Sequence, residues 1–387
     1  MPRTVAPRTL PQRRAQTGFS IVELMVGMVV AMLAILVIFN VFAVFEGQKR
    51  STTTTNDVQA TGMLALQAIE RDVRMAGYGM TVNNAIITNQ LACTSMNAYV
   101  AGAAATIPFM PVSITDGGAG SDSITALYAT SPFASTPGLL SAAIANSSLD
   151  PGVSNTANAT VFFNVGDYVV LAQPQLGKPC ARLRVTGTTN LGSTITIQHA
   201  STDAANPPAA TNIFPTTPTP AGYDDSSTSP TVVINMGAMP QARYAVSANN
   251  SLTYQNLTVT GSSAVNLASG VVALKAQYGI SNAGSQQVNA WVEATGATWA
   301  APTAANILRI KAVRVAVVVR SSLLEKDNVT GTCSNNAGTN NGPCAWSDTA
   351  GNPAPLINLS ADANWRRYRY RVFETIIPLR NVIWANL

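Results

Sequence analysis

From Phe19 to Phe45 the chain runs for 27 residues with Glu23 as its only charged position. At ~1.5 Å per residue, a helix of that length reaches ~40 Å and exceeds the ~30 Å hydrocarbon core of a bilayer. No Pro occurs between Phe19 and Ile107, so nothing forces the helix to stop at the end of the apolar run. Further on, Met63, Leu66, Ile69 and Val73 recur at spacings of three and four, and Glu70 stands four residues before Arg74. That pattern is an apolar stripe with an ion pair on the solvated side. Gly77-Tyr78-Gly79 is a stop signal. One helix is therefore predicted over about residues 19–76, with 51–55 as its only poorly helical patch.

After the glycines the pattern changes to short apolar or alternating runs bounded by Gly, Pro and Asn. It predicts strands at 123–128, 167–172, 182–186, 194–198, 232–236, 242–248, 251–254, 271–280, 308–320 and 366–377. In the last of these, Arg367, Arg369 and Arg371 fall on one face, with Tyr368, Tyr370 and Val372 on the other. Stretches 129–160 and 200–230, rich in Ala, Ser, Thr and Pro, are expected as long loops or insertions. No internal repeat is seen. The expected class is α+β: a long N-terminal helix carrying a β-rich head with long insertions.

The residues around the apolar run add chemistry to this plan. A lone carboxylate near the start of a span is costly, and such a residue marks a functional position whose partner should be named. Residues 1–18 hold Arg3, Arg8, Arg13 and Arg14 and no acid. Positive charge beside a span stays cytoplasmic, so the chain after Phe45 is expected to face outward. A secretory signal has a shorter apolar core and a small-residue cleavage site, neither of which is found here. Gly18-Phe19-Ser20-Ile21-Val22-Glu23-Leu24 instead resembles the class III signal of type IV prepilins. The resemblance implies that a prepilin peptidase cuts after Gly18 and that Phe19 becomes the N-methylated terminus. It also implies that Glu23 faces the Phe19 amine of a neighbouring subunit.

Composition agrees with an exported protein. Only 11% of residues are charged. With the four leader arginines removed, the formal net charge of +5 falls to +1, which offers no polyanion footprint. Four cysteines, Cys93, Cys180, Cys333 and Cys344, lie beyond the span, in what is expected to be an oxidising compartment. Four cysteines allow three pairings. Proximity along the chain favours Cys333 with Cys344, leaving Cys93 with Cys180. A zinc site is the competing use, disfavoured by the absence of CxxC and by the single His, His199.

Several further blocks are similar to the PilW family of minor pilins. They are Glu70-Arg71-Asp72-Val73-Arg74-Met75-Ala76-Gly77-Tyr78, Gly120-Ser121-Asp122-Ser123-Ile124-Thr125 and Gly166-Asp167-Tyr168-Val169-Val170-Leu171. Gly270-Val271-Val272-Ala273-Leu274 with Gln277-Tyr278-Gly279 follows, then Ile310-Lys311-Ala312-Val313-Arg314-Val315 leading to Val319-Arg320-Ser321. The set closes with Arg369-Tyr370-Arg371-Val372-Phe373 and Leu379-Arg380-Asn381. The J-type minor pseudopilin of type II secretion is the nearest rival, but it is usually much shorter.

The resemblance implies a cleaved leader at 1–18, a transmembrane and filament-core helix at 19–45, its amphipathic continuation at 46–77 and a head at 78–387. It implies a role in priming type IV pilus assembly within a tip complex. Expected partners are other minor pilins, the major pilin, the prepilin peptidase and the inner-membrane assembly platform. The expected location is the inner membrane, single-pass with a periplasmic head, and then the pilus at the cell surface.

Catalysis is not expected, nor is a cofactor or metal. No GxSxG or SxxK occurs. Asp116 and Asp122 do not match a calcium loop and are expected in a turn before a strand, while Asp224-Asp225 is expected in a solvated loop. A second reading makes the head an adhesin or a single-strand DNA binder through Arg366, Arg367, Arg369 and Arg371 beside Tyr368 and Tyr370. The alternation separates three of those arginines from both tyrosines, so an ordinary sheet strand is favoured and nucleic acid is not expected as a partner.

Overall fold

The computed structural model describes residues 18–83, 87, 90–154, 162–346, 348–349 and 351–384. The basic segment with Arg3, Arg8, Arg13 and Arg14 lies outside them. The chain divides into two units, Met1–Thr54 and Thr55–Leu387. A single helix, Ile21–Met75, contributes to both. Its weak patch is helical too, with the Thr52 and Thr54 hydroxyls satisfied on the carbonyls four residues back, on Gln48 and Arg50, at 2.9 and 3.0 Å. The Glu46–Arg50 and Glu70–Arg74 pairs brace it from outside.

In the second unit the helix buries Val58, Gly62, Ala65, Ile69, Val73 and Ala76. Steps of three and four put these residues on one stripe. The stripe differs from the expected one. Met63 is exposed and Leu66 only half-buried, whereas Gly62 and Ala65 lie inside. A Cβ on Gly62 would overlap the Phe373 ring. Small residues, rather than large apolar ones, mark where strands press on the helix.

Two antiparallel sheets share the apolar core with that stripe. One has five strands, in the order Val265–Ser269, Ser251–Asn256, Gln241–Val246, Ser123–Leu127 and Val112–Thr115. The other has four, in the order Ala290–Val292, Val271–Ile280, Ile310–Arg320 and Tyr370–Pro378. Val313, Val315, Val317 and Val319 of the third strand are buried in this core, while Ala316 and Val318 join a second cluster with Ile357, Leu359 and Trp365. Both faces are covered, which explains the near-continuous apolar run.

Residues before the five-stranded sheet and between its Ser123–Leu127 and Gln241–Val246 strands build a six-stranded sheet: Ala103–Pro108, Ser95–Val100, Cys180–Arg184, Tyr168–Ala172, Val232–Gly237 and Gly138–Leu139. Its Cys180–Arg184 and Ser95–Val100 strands are parallel, with Cys180 opposite Met96. Val170 and Val232 face the helix core, and Val169, Leu171 and Val233 face a separate core with Ile213, Phe214 and Tyr223. Cys93 is bonded to Cys180 and Cys333 to Cys344, the pairings that chain proximity favours.

Two expectations need correction. Stretch 129–160 contains the short strands Gly138–Leu139 and Gly152–Ser154, although 155–160 lies outside the described residues. The last strand is Tyr370–Pro378 rather than 366–377, because Trp365–Arg367 forms a 3-10 turn. Arg367, Arg369 and Arg371 therefore do not share a strand face.

Candidate assembly site

Two features stand out, and each belongs to its own unit. In the first, Ser20 opens the helix: its carbonyl accepts from Leu24 N–H at 3.1 Å and its Oγ from Val22 N–H at 3.3 Å. Ser20 is thus an N-cap. Gly18 and Phe19 precede it, and Phe19 is 86% exposed. Glu23 stands in the first turn, where the positive end of the helix dipole favours an anion. Every large apolar side chain from Ile21 to Phe45 is exposed. A helix apolar on all sides, with no cover of its own, belongs in hydrocarbon or among other helices. This helix is long and apolar enough to cross a membrane.

In the second unit the helix end is locked into the head by polar groups. Asp72 is only 2% exposed. Its carboxylate accepts from Tyr244 Oη at 2.7 Å, Tyr128 Oη at 3.2 Å and Arg71 Nε at 3.0 Å. Tyr244 Oη also lies 2.9 Å from the Ala68 carbonyl. Burial first, then the Asp72 carboxylate, raises both phenols above their ordinary range. The helix terminus is closed from the far end of the chain: Asn381 Nδ2 donates to the carbonyls of Met75 and Ala76 at 3.0 and 3.1 Å. Gly77, at φ +85°, turns the chain so that its N–H reaches the Leu127 carbonyl at 2.9 Å.

The head itself is tied by a buried cation. Lys275 Nζ sits 2.6 Å from Asp122 Oδ1 and takes the carbonyls of Gly118 and Gly120 at 2.7 and 3.0 Å, with Asp116 at 3.9 Å. The loop expected as a plain turn thus wraps the chain's own ammonium, in the place where a bound cation would compete. Arg314 Nε donates to Gln277 Oε1 at 2.8 Å, and its guanidinium lies between the rings of Trp291 and Trp346 at 5.1 and 4.3 Å. Burial lowers its pKa to about 10.

Three residues of the alternative nucleic-acid reading make contacts within the head. Arg367 Nε donates to the Glu325 carbonyl and Arg369 Nε to the Glu325 carboxylate, at 2.8 and 2.7 Å. The Tyr368 ring is covered by Arg320 at 4.1 Å, so this stacking platform is occupied from within. His199 is buried between the Ser147 carbonyl at 2.7 Å and Asp150 at 3.0 Å. Asp224 accepts from Gln173 Nε2. No group of three or more His, Cys, Asp or Glu residues placed to hold a metal occurs among the described residues.

The locking residues escaped the sequence reading as a set, although most lie in the quoted blocks. Lys275 and Arg314 carry one signal, a charge inside an apolar run, whereas Asp72 sits among other charges and carries none. Residues 241–381 match the family model PilW, described as type IV pilus-assembly protein W. The match supports assignment of the chain to the PilW family. No curated protein and no solved structure matches the chain. The matched stretch starts at the first residue of the Gln241–Val246 strand and ends at Asn381, the residue that caps the long helix. It holds most of the two sheets that share the helix core, and the six-stranded sheet lies before it. The match supports involvement in type IV pilus assembly.

Proposed function

We propose that this chain is a minor pilin that helps prime type IV pilus assembly and sits in a tip complex with other minor pilins. The observation that carries the reading is the uncovered apolar helix with a capped start at Ser20 and one acid at Glu23, in a chain whose last third matches the PilW family. A prepilin peptidase removes the leader after Gly18, leaving Phe19 as the methylated terminus. Residues 19–45 anchor the subunit in the inner membrane and later join the filament core. The head occupies the periplasm, then the cell surface.

Docking follows from charge. Glu23, in an apolar bundle, pairs with the Phe19 amine of a neighbour, and each group offsets the desolvation of the other. The helix supplies lateral contact with the major pilin, and the head supplies contact with other minor pilins. No chemistry is assigned to the head: Lys275 and Asp72 are engaged in holding the fold, and Lys311 lies away from any acid.

N-terminal sequencing of the protein from its native host tests this reading. Methylated Phe19 is expected. An intact Met1 in assembled pili contradicts it. Gly18→Ala is expected to be cut slowly, since the Gly permits close approach of the backbone to the peptidase.

A further inference from the structure

A pocket of about 300 Å³ opens beside the start of the central Ile310–Arg320 strand. Its wall includes the turn at 281–286, Ala305, Arg309 and Lys311, and none of its lining residues is acidic. Lys311 is only 2% exposed, yet no hydrogen bond or ion pair reaches its ammonium among the described residues. The other two buried lysines differ. Lys275 holds Asp122, and Lys178 Nζ holds the carbonyls of Pro220 and Gly222 at 2.8 Å each. Burial alone lowers the Lys311 pKa, with no carboxylate acting against it.

Backbone geometry places this lysine deliberately. Pairing along the strand jumps from Ala312 opposite Gly279 to Ile310 opposite Ile280, so Lys311 is the extra residue of a bulge. A bulge re-aims a side chain that regular alternation would send elsewhere. Arg309, two residues earlier, is held by Nε to the Ser281 carbonyl at 2.8 Å and by Nη1 to Asn306 Oδ1 at 3.1 Å. Its Nη2 group has no hydrogen bond among the described residues. Hydroxyl and amide groups of Ser281, Asn282 and Ser285 line the same wall.

We propose that this pocket binds a free oxyanion of the phosphate class between Lys311 and Arg309. The Lys311 side chain is buried but its ammonium opens onto the pocket with no acid beside it, and an anion there gains charge-assisted hydrogen bonds from it. The lining draws donors from two parts of the chain: Lys311 and Arg309 at the start of the strand, and the turn at 281–286. A tetrahedral anion offers them more oxygens than a carboxylate, which presents two. The site is independent of the pilin reading.

The full chain, purified in detergent, is titrated with inorganic phosphate at constant ionic strength, using calorimetry and thermal melting. Saturable heat and a rising melting temperature are expected, with acetate binding more weakly. Ala305→Glu places a carboxylate in the wall at an exposed position, where folding is insensitive to it. It is expected to melt normally and to bind phosphate at least about tenfold more weakly. Lys311→Met is expected to lose binding and, without phosphate, to melt no lower than the unaltered chain. Absence of saturable binding, or an unchanged affinity in Ala305→Glu, overturns the proposal.

Discussion

Asp72 holds the end of the long helix to the head, and its substitution gives the sharpest residue-level test. Asp72→Ala takes the acceptor from the half-buried Tyr128 hydroxyl, leaves the buried Tyr244 hydroxyl only the Ala68 carbonyl, and opens a hole at the helix end. The expected loss is about 2–4 kcal/mol, against about 1 kcal/mol for Tyr244→Phe. Urea denaturation followed by Trp fluorescence measures both, and equal effects would contradict the lock. Lys275→Met leaves Asp122 buried without its cation and should cost about 3–5 kcal/mol, most of it recovered in the double variant with Asp122→Asn. Asp72 stood in plain view within the block Glu70 to Tyr78, but its main partner did not. Tyr244 lies 172 positions away, and only the folded sheet brings it near.

At the scale of elements, the strands that were legible are those with β-branched or aromatic runs, such as Val271–Ile280 and Ile310–Arg320. Ser95–Val100 and Ala103–Pro108 were not, because Ala, Ser, Thr and Asn prefer no single state strongly and their pairing is decided by neighbours. The buried stripe of the helix was legible at Ile69 and Val73 but not at Gly62 and Ala65, whose small side chains give little apolar signal. Gly62→Leu should force Phe373 out of place and destabilise the head by about 1–3 kcal/mol, whereas Met63→Gln, on the exposed face, should not. A melting comparison of the two variants decides this.

The whole molecule should respond to alkali in one direction. Burial raises the Tyr278 and Tyr370 phenols to about 12, from an ordinary value near 10. The folded state therefore keeps protons that the unfolded chain releases first. Stability should hold below pH 10 and fall as the pH rises from 10 toward 12. Phenolate absorbance rising together with loss of Trp fluorescence would display it; independent titration before unfolding would contradict it. At this scale the plan of one long helix and a β-rich head was legible from hydrophobic period alone. The covering of both faces of the central sheets was legible only as a lack of alternation.

The account rests most heavily on Glu23 acting between subunits rather than within one. The direct measurement compares Glu23→Ala with the unaltered chain in the native host, scoring membrane abundance and the subunit content of sheared pili together. Removing a buried carboxylate lowers the cost of membrane insertion, so membrane abundance should be unchanged or higher. A neighbour's Phe19 amine then lacks its anion, so fewer pili, or less of this chain within them, are predicted. Unchanged piliation with unchanged incorporation would contradict docking through the helix core.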